Sequence, residues 1–361
     1  MRKYLWLAWL LLVGSALFLV GCGSSQTPPA GSSAGSISLT GAGATFPYPL
    51  YSKWFAEYSQ VNPEVSINYQ SIGSGGGIQQ LKAGTVDFGA SDAPLSDDEL
   101  KAMPQPVIHL PMTAGAVVVA YNLAELKQPL RLSGPVLADI FLGKITSWDD
   151  PKITGLNPNL RLPTRPIAVV HRSDGSGTSY IFTNYLKAVS NEWSDKVGAG
   201  KSVNWPVGIG GKGNEGVTGV VKQTPSAIAY LELAYAQQNK IPYAQMQNQA
   251  GRFIEPTVAS TAAAAAGAAA QMKEDVRISI VNSPGRDAYP IAGFTYILIY
   301  REQADRTEGQ ALVNFLDWAV HAGQQYAQPL AYAPLPAAVV QLNEAALKSV
   351  TVNGQPMQAG K

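Results

Sequence analysis

Three times in this chain a short apolar run breaks into a turn of glycine and hydroxyl residues, and a helical run follows. The fullest case is His171-Arg172-Ser173-Asp174-Gly175-Ser176-Gly177-Thr178-Ser179-Tyr180. Ahead of it, residues 166–171 are apolar and β-branched and read as a buried strand; behind it, residues 180–189 read as a helix. The other two turns are Ala44-Thr45-Phe46 and Gly73-Ser74-Gly75-Gly76-Gly77. A strand that passes through such a turn into a helix leaves backbone N–H groups free at the helix start. The positive end of the helix dipole adds to them, and anions bind there without a cation. Arg172 adds a guanidinium fork suited to a tetrahedral oxyanion. Asp174 would repel an anion and reads as the partner that fixes Arg172. One such turn alone is equally an ordinary capped helix with a surface Arg–Asp pair, because Gly and Ser are common turn residues. Three in one chain point to a convergent oxyanion site.

The same alternation sets the fold class. Strand-like runs at 37–40, 65–69, 86–90, 107–110, 116–121, 227–232, 276–281 and 294–300 are interleaved with helical runs at 50–60, 78–83, 134–142 and 311–321. Ser96-x-x-Glu99 is a capping box for one more short helix. This is α/β architecture, with mostly parallel sheets expected. Residues 261–271 are almost all alanine; a helix weakened at Gly267 is expected there, with no chemistry of its own. From Thr351 the chain turns polar and is expected to fray.

Residues 1–22 read as an export signal. Arg2 and Lys3 are its basic start, and the apolar run 5–20 is short for a stable membrane span and ends at small residues. Leu19-Val20-Gly21-Cys22 resembles a bacterial lipobox, in which the Cys is lipidated and becomes the first residue. Cys22 is the single Cys, so no intrachain disulfide can form. Residues 23–36 are uncharged and rich in Gly, Ser, Pro and Ala, a tether with a reach of roughly 20 Å. The body that follows is 46% apolar and 14% charged over the whole chain, so it is globular, and 361 residues leave room for two domains. With 26 Lys and Arg against 25 Asp and Glu and no basic patch, nucleic acid is not an expected partner.

Other chemistries fail on particular residues. Gly208-x-Gly210-x-x-Gly213 matches a dinucleotide fingerprint by letter but has no clear strand before it. Gly213 stands where a phosphate-binding loop after Gly211-Lys212 needs Ser or Thr. Neither Ser74 nor Ser176 lies in a Gly-x-Ser-x-Gly frame. His109, His171 and His321 are the only histidines and make no i, i+4 pair, so no metal is expected. A secreted phosphatase with a Ser nucleophile and Arg172 as clamp is the enzyme alternative. It needs a metal cluster or a base beside the Ser, and Asp92 is the one candidate base. An adhesion or signalling scaffold is the third class.

Four stretches resemble, in order, motifs of the substrate-binding protein of the bacterial phosphate ABC transporter, the PstS family. They are Leu39-Thr-Gly-Ala-Gly-Ala-Thr-Phe-Pro47, Asn68-Tyr-Gln-Ser-Ile-Gly-Ser-Gly-Gly-Gly77, Thr85-Val-Asp-Phe-Gly-Ala-Ser-Asp-Ala-Pro-Leu95 and the decapeptide from His171. Gly208-Ile-Gly-Gly-Lys-Gly-Asn214 and Asp287-Ala-Tyr-Pro-Ile291 extend the match, which runs from Leu39 to about residue 340. The resemblance implies a two-lobe periplasmic-binding-protein-like fold of type II with the ligand in the interlobe cleft. Lobe one would be 37–112 with 288–361, lobe two 113–287, closing by a hinge. It implies phosphate held by Thr45, Phe46 through its backbone N–H, Ser74, Asp92, Arg172, Ser176, Gly177 and Thr178, with Asp174 orienting Arg172. Gly75 departs from the family, where a second Ser is frequent. The implied partners are inorganic phosphate and the permease and ATPase subunits of the importer. A lipid on Cys22 would hold the protein in the periplasm or on the outer face of the cytoplasmic membrane, with no cofactor and no catalysis. Retention of every matched residue weighs against the scaffold reading.

Overall fold

The structure, a computed structural model, describes residues 36–273 and 275–357. The export signal, Cys22 and the tether up to residue 35 lie outside the described residues. Among the described residues no helix is long and apolar enough to cross a membrane.

The strands in chain order are β1 (Ile37–Gly43), β2 (Val65–Ser71), β3 (Phe88–Ser91), β4 (Val107–Tyr121), β5 (Arg131–Leu132), β6 (Ala168–Arg172), β7 (Ile209–Gly211), β8 (Ala227–Glu232), β9 (Gln245–Gln247), β10 (Phe253–Ile254), β11 (Ala292–Tyr300), β12 (Thr351–Val352) and β13 (Gln355–Pro356). Eight of them form one sheet in the order β2-β1-β3-β11-β4-β8-β6-β7. β1 is parallel to β2 and β3, and β6 is parallel to β7 and β8. β11 runs antiparallel between β3 and β4, and β4 is antiparallel to β8. The sheet is therefore mixed rather than mostly parallel. A strand buried on both faces reads as a continuous apolar run whichever way it points, so the antiparallel insertion left no mark in the sequence.

β4 joins the two ends of this sheet. Its residues 107–116 pair with β11, and residues 117–121 pair with β8. Two strands were expected here; the chain instead stays extended for 15 residues. Pro111, which cannot donate to a ladder, is absorbed where the register shifts opposite Thr295 and Tyr296.

Three other expectations change. Residues 276–281 form no strand. Instead the Tyr296 hydroxyl lies 3.0 Å from the Val276 carbonyl and 3.3 Å from that of Ile278, so a side chain engages acceptors a ladder would use. The alanine-rich stretch is two helices, Val258–Ala265 and Ala268–Met272, interrupted around Gly267. The tail does not fray at Thr351 but turns back as the hairpin β12–β13. Asn353 and Gly354 both have positive φ, 52° and 70°, the pair a tight hairpin turn requires.

Aromatic packing supports each end of the sheet. Tyr51, Phe55, Tyr69, Phe88 and Phe315 cluster beneath β1–β3. Phe182 stacks on Tyr230 at 4.2 Å beneath β6 and β8, and Phe141 and Trp205 close around them.

Candidate functional site

The three turns meet. The Ser74–Lys82 helix begins at Ser74, preceded by Gly73 at φ +90°, where a Cβ would stand 2.2 Å from Asp174 Oδ2. The Gly177–Val189 helix is capped by Ser176, whose Oγ accepts from Ser179 N–H at 2.9 Å. Gly75 N–H donates to the Gly175 carbonyl at 2.8 Å, so the two turns touch backbone to backbone. Gly177 N–H donates to Ser74 Oγ at 3.0 Å, and Asp92 N–H donates to the same oxygen at 3.3 Å. Thr45, Ser74, Asp92, Arg172, Ser176 and Thr178 are all buried.

Counting hydrogen bonds shows what these hydroxyls can still do. A hydroxyl has one donor and two acceptor positions. Ser74 Oγ accepts two N–H bonds, as just described. Thr45 Oγ1 accepts from Asn214 N–H at 3.1 Å and Nδ2 at 2.8 Å. Thr178 Oγ1 accepts from Arg172 Nη1 at 3.2 Å and Asn214 Nδ2 at 3.1 Å. All three oxygens have both acceptor positions filled by protein, so each can only donate. Nearby, Tyr235 donates to the Thr45 carbonyl at 2.6 Å and Tyr332 to the Phe46 carbonyl at 2.7 Å. These anchors hold the turn after β1 by its oxygens, and Phe46 N–H meets no protein acceptor among the described residues.

The charges follow the same plan. Arg172 ends β6 with its side chain 1% exposed. Its Nε and Nη2 bond the two oxygens of Asp174 at 2.8 and 2.5 Å, a bidentate pair that leaves Nη1 turned to Thr178. Its backbone N–H donates to the Tyr230 hydroxyl at 3.0 Å. Burial works to raise the Asp174 carboxyl, but the Arg172 guanidinium and Gly213 N–H outweigh it and hold it below its usual value. Asp92 is different. Burial pushes its carboxyl up to about 7, against the Thr295 hydroxyl, which donates to Oδ1 at 2.8 Å, and the charge of Arg172. A second buried carboxyl, Glu232, caps the helix after β8 through Ala234 N–H at 2.7 Å and lies 3.1 Å from the Tyr332 hydroxyl. Burial pushes it well above the carboxylate range.

The site thus presents donors and one guanidinium to a small oxyanion, plus one carboxyl able to exchange a proton near neutrality. Among the described residues no group of three or more His, Cys, Asp and Glu could hold a metal ion. His109 accepts from Leu95 N–H at 3.1 Å, and burial lowers it to about 4. His171 stacks on Trp205 at 4.9 Å, and His321 lies between Asp317 and Glu344. The carboxyl of Asp92 is engaged by Thr295 rather than by a serine hydroxyl.

Sequence reasoning missed Asn214, Thr295, Tyr230, Tyr235, Tyr332 and Glu232 as parts of this arrangement. Asn214 closes the Gly208–Asn214 motif and was findable as the amide side chain that ends this glycine-rich stretch, just inside the following helix. The others come from separate elements and carry no local mark.

A family model described as a PBP superfamily domain matches residues 28–322. The phosphate-binding protein PstS of Xylella fastidiosa strain 9a5c is 48% identical over 324 residues, 90% of this chain and 88% of its own length. That of Haemophilus influenzae is 47% identical over 304 residues, 84% of this chain and 90% of its own. Among solved structures, a phosphate binding protein from Stenotrophomonas maltophilia superposes with a TM-score of 0.68 at 20% identity, covering 88% of this chain and 96% of that one. At that identity the likeness is one of fold.

Proposed function

The chain belongs to the PBP superfamily and, within it, to the PstS phosphate-binding proteins, and from that premise we propose that its buried site captures inorganic phosphate outside the cytoplasm for an ABC importer. The observation that carries this reading is the set of three hydroxyls whose acceptor positions are already filled, gathered around a buried guanidinium. Such a site can donate to oxygens from several sides, and it repels cations. Arg172 supplies the charge, and Asp174 keeps the fork from turning away. Thr45, Ser74, Ser176 and Thr178 donate through their hydroxyls, and the backbone N–H of Phe46 adds to them. Gly177 keeps the approach open, because a Cβ there would stand 2.5 Å from Asp92 Oδ2. Asp92, ionised, accepts a hydrogen bond from the O–H that phosphate still carries near neutral pH.

In this reading the lobes are 37–112 with 288–361, and 113–287. Thr45, Ser74 and Asp92 on one then close on Arg172, Ser176 and Thr178 on the other. Docking to the permease and ATPase subunits follows capture, and a lipid on Cys22 keeps the protein near them. This is the reading of a carrier rather than a phosphatase: the donors hold the anion, and the Asp92 carboxyl, the candidate base, is engaged by the Thr295 hydroxyl.

Titration calorimetry with inorganic phosphate, on the chain lacking its first 22 residues, is the test. One tight site is expected, together with no release of product from a chromogenic phosphomonoester. Absence of phosphate binding refutes the reading; steady turnover of the ester replaces it with an enzyme.

A further inference from the structure

Asn214 touches site residues on both sides, Thr45 and Thr178. It is fully buried at the start of the Gly213–Gln223 helix. Its Oδ1 accepts from Glu232 N–H at 2.9 Å. That backbone donor fixes the orientation of the amide, since a flipped Asn would set NH₂ against N–H. The Nδ2 group is then committed to donate, to Thr45 Oγ1 at 2.8 Å and to Thr178 Oγ1 at 3.1 Å. Its own backbone N–H also donates to Thr45 Oγ1, at 3.1 Å.

Direction therefore runs one way, from the peptide at the end of β8, through the Asn214 amide, to two threonine oxygens. With their acceptor positions occupied, those threonines turn their hydrogens elsewhere. We infer that Asn214 is the positioning residue that sets the hydrogen-bond polarity of the site, holding Thr45 and Thr178 as donors to the bound oxyanion. It also ties the turn after β1 to the start of the Gly177–Val189 helix, so the two donors are held at a fixed spacing. The inference rests on the phosphate reading and adds a residue that need not touch the ligand.

The test is a cycle of phosphate titrations on wild type, N214L, T178V and N214L/T178V, with N214D beside them. Leu keeps the branched outline of Asn214, with larger methyl groups in place of the amide O and N, and removes both side-chain donors. N214L should weaken phosphate binding about 30-fold in the wild-type background, and at least threefold less in the T178V background, because part of its action passes through the Thr178 hydroxyl. A purely structural role gives the same loss in both backgrounds and overturns the inference. N214D keeps the shape but accepts where Asn214 donates, so it should bind more weakly than N214L. If shape were what mattered, N214D would be the milder change, and that order also overturns the inference. Thermal melting of each variant without phosphate confirms that folded protein is compared. Wild type that binds no phosphate refutes the functional reading and the inference with it; wild type that binds, with N214L and N214D matching it, refutes the inference alone.

Discussion

Sulfate is the ion that reports the proton on Asp92. The carboxyl is buried and held up to about 7, with Oδ1 engaged by Thr295. An ionised carboxylate can accept but not donate, and sulfate near neutral pH has no proton to give it. Sulfate should therefore enter only when Asp92 is protonated. The sign follows from the raised value: the protonated form dominates below about 7, and its population falls about tenfold per pH unit above it, or ~1.4 kcal/mol per unit. Sulfate affinity should be nearly level at pH 5 to 6, bend around 7, and fall about tenfold for each unit well above it. Phosphate should show no such loss above 7, because the O–H it keeps there can donate to the ionised Asp92. In D92N the amide donates at every pH and still accepts from Thr295. Its sulfate affinity should lie near the low-pH value of wild type and stay flat to pH 9. E232Q serves as the control for the second buried carboxyl and should leave the break in place. Competition of sulfate against labelled phosphate, from pH 5 to 9, measures all of this. Sulfate affinity independent of pH in wild type, or a break that survives in D92N, would refute the assignment of the proton to Asp92.

R172A leaves the half-buried Asp174 without its guanidinium and removes the one buried cation of the site; losses of ~2–5 kcal/mol are usual for such truncations, so phosphate titration should show a drop of about 30-fold or more. G177A places a methyl 2.5 Å from Asp92 Oδ2 and 2.6 Å from Ser74 Oγ, and should weaken phosphate binding at least tenfold while the melting temperature without phosphate changes little. C22S should move the protein from the membrane fraction to the soluble one, or leave the signal uncleaved, when cells are fractionated; acyl chains contribute ~0.8 kcal/mol per buried methylene.

What the sequence made legible was local. The Arg172 turn, the capping box at Ser96 and the break at Gly267 are each written within a few residues, and the structure has all three. The Ser96 hydroxyl and the Glu99 carboxylate satisfy each other's backbone N–H groups as the spacing implied. The long-range features were not legible. Insertion of β11 between β3 and β4 depends on pairing across about two hundred residues, and nothing in either apolar run states its direction. The second layer of the site has the same cause. Tyr235 and Tyr332 reach the turn after β1 from 190 and 286 residues away, and buried tyrosines read as core until their hydroxyl partners are known. The Asn353–Gly354 hairpin is a plain omission, because that dipeptide is a strong local turn signal.

The place of β11 has a further consequence, in the order in which the protein can be completed as it emerges from its N-terminus. The strands that carry Arg172 and its neighbours, β4, β6, β7 and β8, have all appeared by residue 232 and can pair at once. β1, β2 and β3 appear earlier still, yet β3 has a bare edge until residues 292–300 arrive to separate it from β4. The oldest part of the chain is thus the last to be closed, and for most of synthesis it presents an unpaired strand of the kind that invites association with other chains. A chain with this topology gains from being kept unfolded until it is whole.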